Sequence, residues 1–136
     1  MDSLVVSDLM DAKPLTIDSD IGVIVAMRQL LAKGVTAASV VDANGELLGI
    51  LSEADCMGGT LMGGYFEQIG ELVRDRMSTD VCTVTADTGL INAAELMLKN
   101  KRRVLPVLKG KKVVGALCRT RVIEEIIDKI DHPAHA

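Results

Sequence analysis

Apolar positions recur along this chain in two stretches of identical spacing. Val23, Ala26, Met27, Leu30 and Leu31 stand at i, i+3, i+4, i+7 and i+8, the pattern of a helix with one buried stripe. Leu90, Ala93, Ala94, Met97 and Leu98 repeat that stripe 67 residues later. Asp20 and Asp87 precede the two stripes, where a carboxylate accepts from the free N–H groups of a first turn, so both are expected to be N-caps. Each helix is followed by two short apolar runs around a turn. Ser39–Val41 and Leu47–Leu51 flank Ala43-Asn44-Gly45, and Pro106–Leu108 and Val113–Leu117 flank Lys109-Gly110-Lys111, so each copy is expected to hold a hairpin. A closing helix is predicted from about Ser52 in the first copy and from about Arg119 to Ile130 in the second.

The two patterns are halves of an internal repeat. At a shift of 67, Asp8 meets Asp75, Met10 meets Met77, Thr16 meets Thr83, Ala26 meets Ala93 and Val40 meets Val107. One residue is lost in the turn, after which Gly49 meets Gly115 and Leu51 meets Leu117 at a shift of 66. A glycine inside a strand weakens it, so Gly49 and Gly115 point to close approach of another backbone or of a ligand. The boundaries expected are 1–57 for the first domain, 58–70 for a glycine-rich linker or lid, 71–130 for the second domain and 131–136 for a frayed tail.

Composition narrows the chemistry. The 136 residues are 49% hydrophobic but only 1% aromatic, with no Trp and with Tyr65 and Phe66 adjacent in the linker, so binding by a platform of aromatic rings is excluded. That leaves the two rings as candidates for an interface or a lid. No apolar run is long enough to span a membrane and no basic, apolar leader opens the chain, so a cytoplasmic location and no membrane partner are expected. Cys56, Cys82 and Cys118 are separated by 26 and 36 residues, which fits neither a disulfide framework nor a zinc site and favours reduced thiols. Both histidines, His132 and His135, lie at the C-terminal end, so no interior imidazole serves as base or metal ligand. With no nucleophile, base and orienting group to combine, neither catalysis nor a metal is expected.

The net charge of −4 conceals unlike halves. Residues 1–73 hold 3 basic and 11 acidic side chains, and residues 74–136 hold 12 basic and 8 acidic. Lys99, Lys101, Arg102, Arg103, Lys109, Lys111 and Lys112 form a run free of acids, either a solvated face or a local anion site. Net acidity, the scarcity of rings and the apolar interruption at 104–108 argue against a nucleic-acid partner.

Val6-Ser7-Asp8-Leu9-Met10, Leu15-Thr16-Ile17, Ser39-Val40-Val41-Asp42 and Gly49-Ile50-Leu51-Ser52-Glu53-Ala54-Asp55, echoed by Val73 to Met77, Cys82-Thr83-Val84, Arg102 to Val107 and Gly115-Ala116-Leu117, resemble a tandem pair of cystathionine β-synthase (CBS) domains, a Bateman module. The resemblance runs from about residue 3 to 130, that of a small stand-alone bacterial-type member with no attached catalytic domain. It implies an α/β (α+β) fold of two βαββα units whose sheets pack around a pseudo-twofold axis. It also implies clefts between the copies for AMP, ADP, ATP or S-adenosylmethionine, bound as ligands with no cofactor required, and a homodimer, parallel or antiparallel.

Carried over residue by residue, the resemblance assigns ribose to Asp55 and phosphate to Ser52. Thr83, Arg103 or Arg102, Val104, Leu105 and Ile50 would complete that cleft, with aliphatic side chains flanking adenine. The motif Ser52-Glu53-Ala54-Asp55 is equally a capping box, so ribose binding and helix capping both remain open. A second cleft, at Thr16, Ala37, Ala38, Cys118 and Arg121, departs from the pattern: Cys118 replaces the hydroxyl and Arg121 the carboxylate. It is expected to be degenerate or to take an anion, because arginine has no acceptor for ribose. The function implied is a regulatory module sensing an adenosine nucleotide and signalling through dimer geometry or a protein partner of unknown identity. The alternative is a structural dimerisation or interaction module without a small ligand.

Overall fold

The computed structural model describes residues 3–63 and 70–133, with backbone only for residues 59–63. Tyr65, Phe66 and His135 lie outside the described residues. The described elements are β1 (Thr16–Asp18), α1 (Val23–Lys33), β2 (Ala37–Val41), β3 (Leu47–Ser52), α2 (Glu53–Gly63), α3 (Val73–Arg76), α4 (Leu90–Lys99), β4 (Val104–Lys109), β5 (Lys112–Cys118) and α5 (Arg119–Asp131), with a 3-10 turn at Val6–Asp8. Both hairpins and both closing helices stand where the apolar pattern puts them. The two turns carry glycine in the left-handed region, Gly45 at φ 79° and Gly110 at φ 62°.

The compact units do not follow the linear halves. One unit contains 15–81 and the hairpin tip 111–113; the other contains the described residues of 1–14, 82–110 and 114–136. Each repeat therefore receives its N-terminal segment from the other end of the duplication. In the first unit β1 runs parallel to β2, with Ile17 opposite Val40, and β2 runs antiparallel to β3, with Ser39 opposite Ile50. Ile17, Val23, Ala26, Leu30, Val40, Leu51, Cys56 and Val73 close its core. In the second unit Val6, Leu9, Leu90, Ala93, Met97, Leu105, Val107, Leu117 and Val122 do the same.

The second sheet is shorter than the first. A single parallel bridge, Val84 to Val107, replaces the three-residue β1–β2 ladder, and only β4 and β5 form a sheet. Pro106 removes one of the missing rungs. It occupies the position that Ser39 holds in the first unit and has no N–H for the ladder, although its carbonyl still accepts from the Val84 N–H at 3.1 Å.

Two expectations fail in detail, each in both copies. Leu31 and Leu98 are not part of the buried stripes; they are 78% and 73% exposed, because i+8 lies about 80° around the helix from i and falls on the solvent edge. Asp20 and Asp87 are not N-caps, since that position in α1 and α4 falls two residues later, on Gly22 and Gly89, with no side-chain cap. Carbonyls of neighbouring segments do that work: the Val23 N–H donates to the Glu71 carbonyl and the Leu90 N–H to the Leu4 carbonyl, both at 2.9 Å. Asp20 instead pairs with Arg74, and Asp87 accepts from the Thr85 hydroxyl at 2.5 Å.

Candidate functional site: the strand–helix corners

Each unit builds one corner where its last strand turns into its closing helix. In the first unit Ile50 exchanges two backbone hydrogen bonds of 2.9 Å with Ser78; in the second, Ala116 exchanges bonds of 3.0 and 2.9 Å with Asp11. Gly49 and Gly115 make these exchanges possible. A Cβ on Gly49 would meet the Ser78 carbonyl oxygen at 2.6 Å, and one on Gly115 would meet the Met10 sulfur at 2.6 Å and the Asp11 carbonyl at 3.1 Å. The close approach expected at both glycines is thus by backbone and methionine, and the equivalent residues Met10 and Met77 supply it twice.

The helix that follows each corner is also anchored twice over. The Glu53 N–H donates to the Thr36 carbonyl at 2.9 Å, and the Arg119 N–H donates to the Arg103 carbonyl at 2.8 Å. From there the corners diverge. In the first, the Ser52 N–H donates to Asp55 Oδ2 at 3.1 Å and the Asp55 N–H donates to Ser52 Oγ at 3.0 Å, a complete capping box. In the second, Cys118 occupies the N-cap without a side-chain bond, and Arg121 stands at the third helical position.

The box engages one oxygen of Asp55, a half-buried residue, and the hydroxyl of Ser52. Cys56, the next residue, is fully buried, and burial with the nearby Asp55 charge pushes its thiol up to about 11. The position is a core position: in the second unit the buried Val122 fills it. Arg76 holds Glu71 in a bidentate pair, Nε to Oε2 at 2.5 Å and Nη2 to Oε1 at 2.7 Å, which lowers the Glu71 pKa and raises that of Arg76.

Of the other candidate residues, Thr83, Arg102, Arg103, Val104 and Leu105 lie in the second unit, and Thr16, Ala37 and Ala38 lie in the first with Ile50, Ser52 and Asp55. Leu105 is fully buried in its core, so its side chain packs against protein. The run of seven basic residues is not one surface. Lys99 to Arg103 precede β4, whereas Lys109 ends it and Lys111 and Lys112 lie beyond, so a strand of six residues separates the two groups by about 20 Å.

Cys118 and Arg121 line a groove of about 320 Å³ together with Leu9, Met10, Asp11 and Ala116, all within the second unit. Burial and the Asp11 carboxylate both raise the Cys118 thiol pKa. Leu9, Met10 and Asp11 were not among the candidates read from the sequence. The signal was present, because the repeat lays Met10 over Met77 and Gly115 demands a close neighbour. Among the described residues no group of three or more His, Cys, Asp or Glu side chains suits a metal ion, and no helix is long and apolar enough to cross a membrane.

Two repeats, each closing a small sheet with a helix at a glycine corner, define a tandem α+β module. The chain belongs to the CBS domain family, which it matches twice, over residues 6–59 and 69–128. It is similar to the Vibrio cholerae protein assigned to acetoin utilization, AcuB, with a TM-score of 0.86 and 26% identity over 98% of this chain and 97% of that one. It is also similar to CBSX2 in complex with AMP, with a TM-score of 0.80 and 29% identity over 91% of this chain and 96% of that one. Among curated proteins, the A-adding tRNA nucleotidyltransferase of Aquifex aeolicus is 26% identical over 94% of this chain. The chain spans 15%, 32% and 23% of the length of the first three curated relatives it matches.

Proposed function

We propose that this chain is a cytoplasmic regulatory module that binds an adenosine-containing nucleotide at the Asp55 corner and passes the bound state to a dimer partner or a regulated protein. The observation that carries this reading is the likeness to an AMP-bound CBS protein over 91% of the chain at 29% identity. The corner supplies suitable chemistry, because an ionised carboxylate accepts from both hydroxyls of a ribose, and Asp55 spends only Oδ2 on the capping box. On the family pattern, Arg103 or Arg102 recognises phosphate and Thr83, Val104 and Ile50 flank the ligand; Leu105 contributes through its backbone. AMP, ADP, ATP and S-adenosylmethionine are the candidate ligands. Thermal unfolding with each in turn tests the reading. A ligand at 100 times its dissociation constant adds about 2.7 kcal/mol, roughly 10 °C for a domain this size. No shift with any of the four overturns it.

Assembly is favoured by a separate observation. Ile123, Ile126, Ile127 and Ile130 form an exposed stripe on α5 at helical spacing, on a helix that buries only Val122 within the chain. The proposed homodimer covers this stripe. Sedimentation of Ile127→Glu is expected to show monomer with the fold retained, and a dimer that persists in that variant removes α5 from the interface.

A further inference from the structure

The groove in the second unit places two opposite charges in one small volume. Asp11 and Arg121 both line it, together with the apolar Leu9, Met10 and Ala116 and the thiol of Cys118. Among the described residues no ion pair joins the two, unlike Arg74 with Asp20 or Arg76 with Glu71. Asp11 gives one oxygen, Oδ1, to the Lys13 N–H at 2.9 Å, and both charged residues are exposed.

The corresponding corner of the first unit has a different arrangement. There the helix carries the carboxylate, Asp55, and the linking segment carries a hydroxyl, Ser78. In the second unit the carboxylate has crossed to the linking segment as Asp11, and the helix carries a guanidinium. A simple anion drawn to Arg121 meets Asp11 in the same groove, and a simple cation drawn to Asp11 meets Arg121. A ligand bearing both signs satisfies both walls.

We infer that this groove binds a small zwitterion of the α-amino-acid class with an apolar side chain. Its carboxylate takes the paired donors of the Arg121 guanidinium, its ammonium donates to Asp11, and its side chain lies against Met10 and Ala116. A volume of about 320 Å³ is ample for such a molecule. The site rests on the regulatory reading and deepens it by giving the module a second, chemically different input at the corner of Cys118 and Arg121, and it shares no residue with the nucleotide site proposed at Asp55.

Calorimetric titration of the full chain with L-leucine and L-methionine tests it. At least one is expected to bind. Isopentylamine and isocaproate, which are leucine without its carboxylate and without its ammonium, are expected to bind at least tenfold more weakly than leucine. Asp11→Asn and Arg121→Gln are each expected to weaken the amino acid at least tenfold while circular dichroism stays unchanged. Asp55→Asn is expected to leave it untouched, which separates this site from the nucleotide reading. Absence of binding by both amino acids, equal binding of isocaproate, or unchanged affinity in both groove variants overturns the proposal. So does loss of amino-acid binding in Asp55→Asn.

Discussion

Gly49 and Ser78 approach so closely that a Cβ on the glycine would stand 2.6 Å from the serine carbonyl oxygen. That oxygen is fixed by the Ile50 N–H, so it cannot withdraw without breaking the exchange between β3 and the segment after α3. Gly49→Ala is therefore expected to cost about 1–3 kcal/mol. Gly115→Ala meets a methionine sulfur first, the end of a flexible side chain, and is expected to cost less. Denaturant midpoints of the two variants, with unchanged slope, check the order; equal losses would mean that the second corner is as rigid as the first.

Ser52 and Asp55 separate stability from recognition. Ser52→Ala removes the hydroxyl that accepts from the Asp55 N–H and is expected to cost about 1 kcal/mol of folding stability. Asp55→Asn keeps an acceptor for the Ser52 N–H, so its stability is expected to stay near that of the parent. Its nucleotide affinity is expected to fall roughly tenfold to a hundredfold, the worth of a charge-assisted bond. Titration calorimetry beside chemical denaturation measures both, and a variant that loses neither property returns Asp55 to a purely structural role.

Cys56 gives the fold an alkaline limit. Its thiol is held at about 11 against an ordinary value of 9.0, so the folded state retains the proton more strongly than the unfolded chain. This contribution is complete below pH 9 and is lost as pH rises towards 11. Stability is expected to fall across that window in the parent and to fall less in Cys56→Val, which copies the Val122 of the other core. At neutral pH the buried thiol is expected to resist a thiol reagent until the protein unfolds.

Glu71 acts at the acid end. The hydrogen bonds from Arg76 lower its pKa below the ordinary value of 4.5, so the folded state binds that proton more weakly than the unfolded chain. The pair stabilises above that ordinary value, and its contribution is lost as pH falls through the depressed one. Arg76→Gln is expected to flatten this part of the acid unfolding curve. The effect is small because the pair lies at the surface, and an unchanged curve would show that Glu71 is held by other groups.

Much of this architecture was legible in the residues. The repeat placed Gly49 over Gly115 and Met10 over Met77, and both coincidences mark real contacts. Helix caps were misread for a definite reason: Asp20 and Asp87 have the right chemistry, but Glu71 and Leu4, distant in sequence, bring carbonyls to the same N–H groups. The basic run, open in sequence as a solvated face or an anion site, is divided once β4 is extended between its two ends. Asp11 carries no local signal, because its partner Ala116 lies in the other repeat. Periodicity reports what a residue does within its own element. It carries little about which remote segment comes to meet it.

The exchange of N-terminal segments between the repeats has a consequence for how the chain is made. Residues 3–14 complete the unit that contains 82–110, and Asp11 finds Ala116 only after a loop on the order of a hundred residues has closed. During synthesis the first segment waits, with Val6 and Leu9 unburied, until the second repeat through Val122 has emerged. Neither repeat is thus a folding unit when cut at the midpoint of the sequence, and a chain severed there leaves each half lacking a strand partner for its own glycine. The repeat has two similar halves in sequence, and the crossed ends make each compact unit draw on both of them.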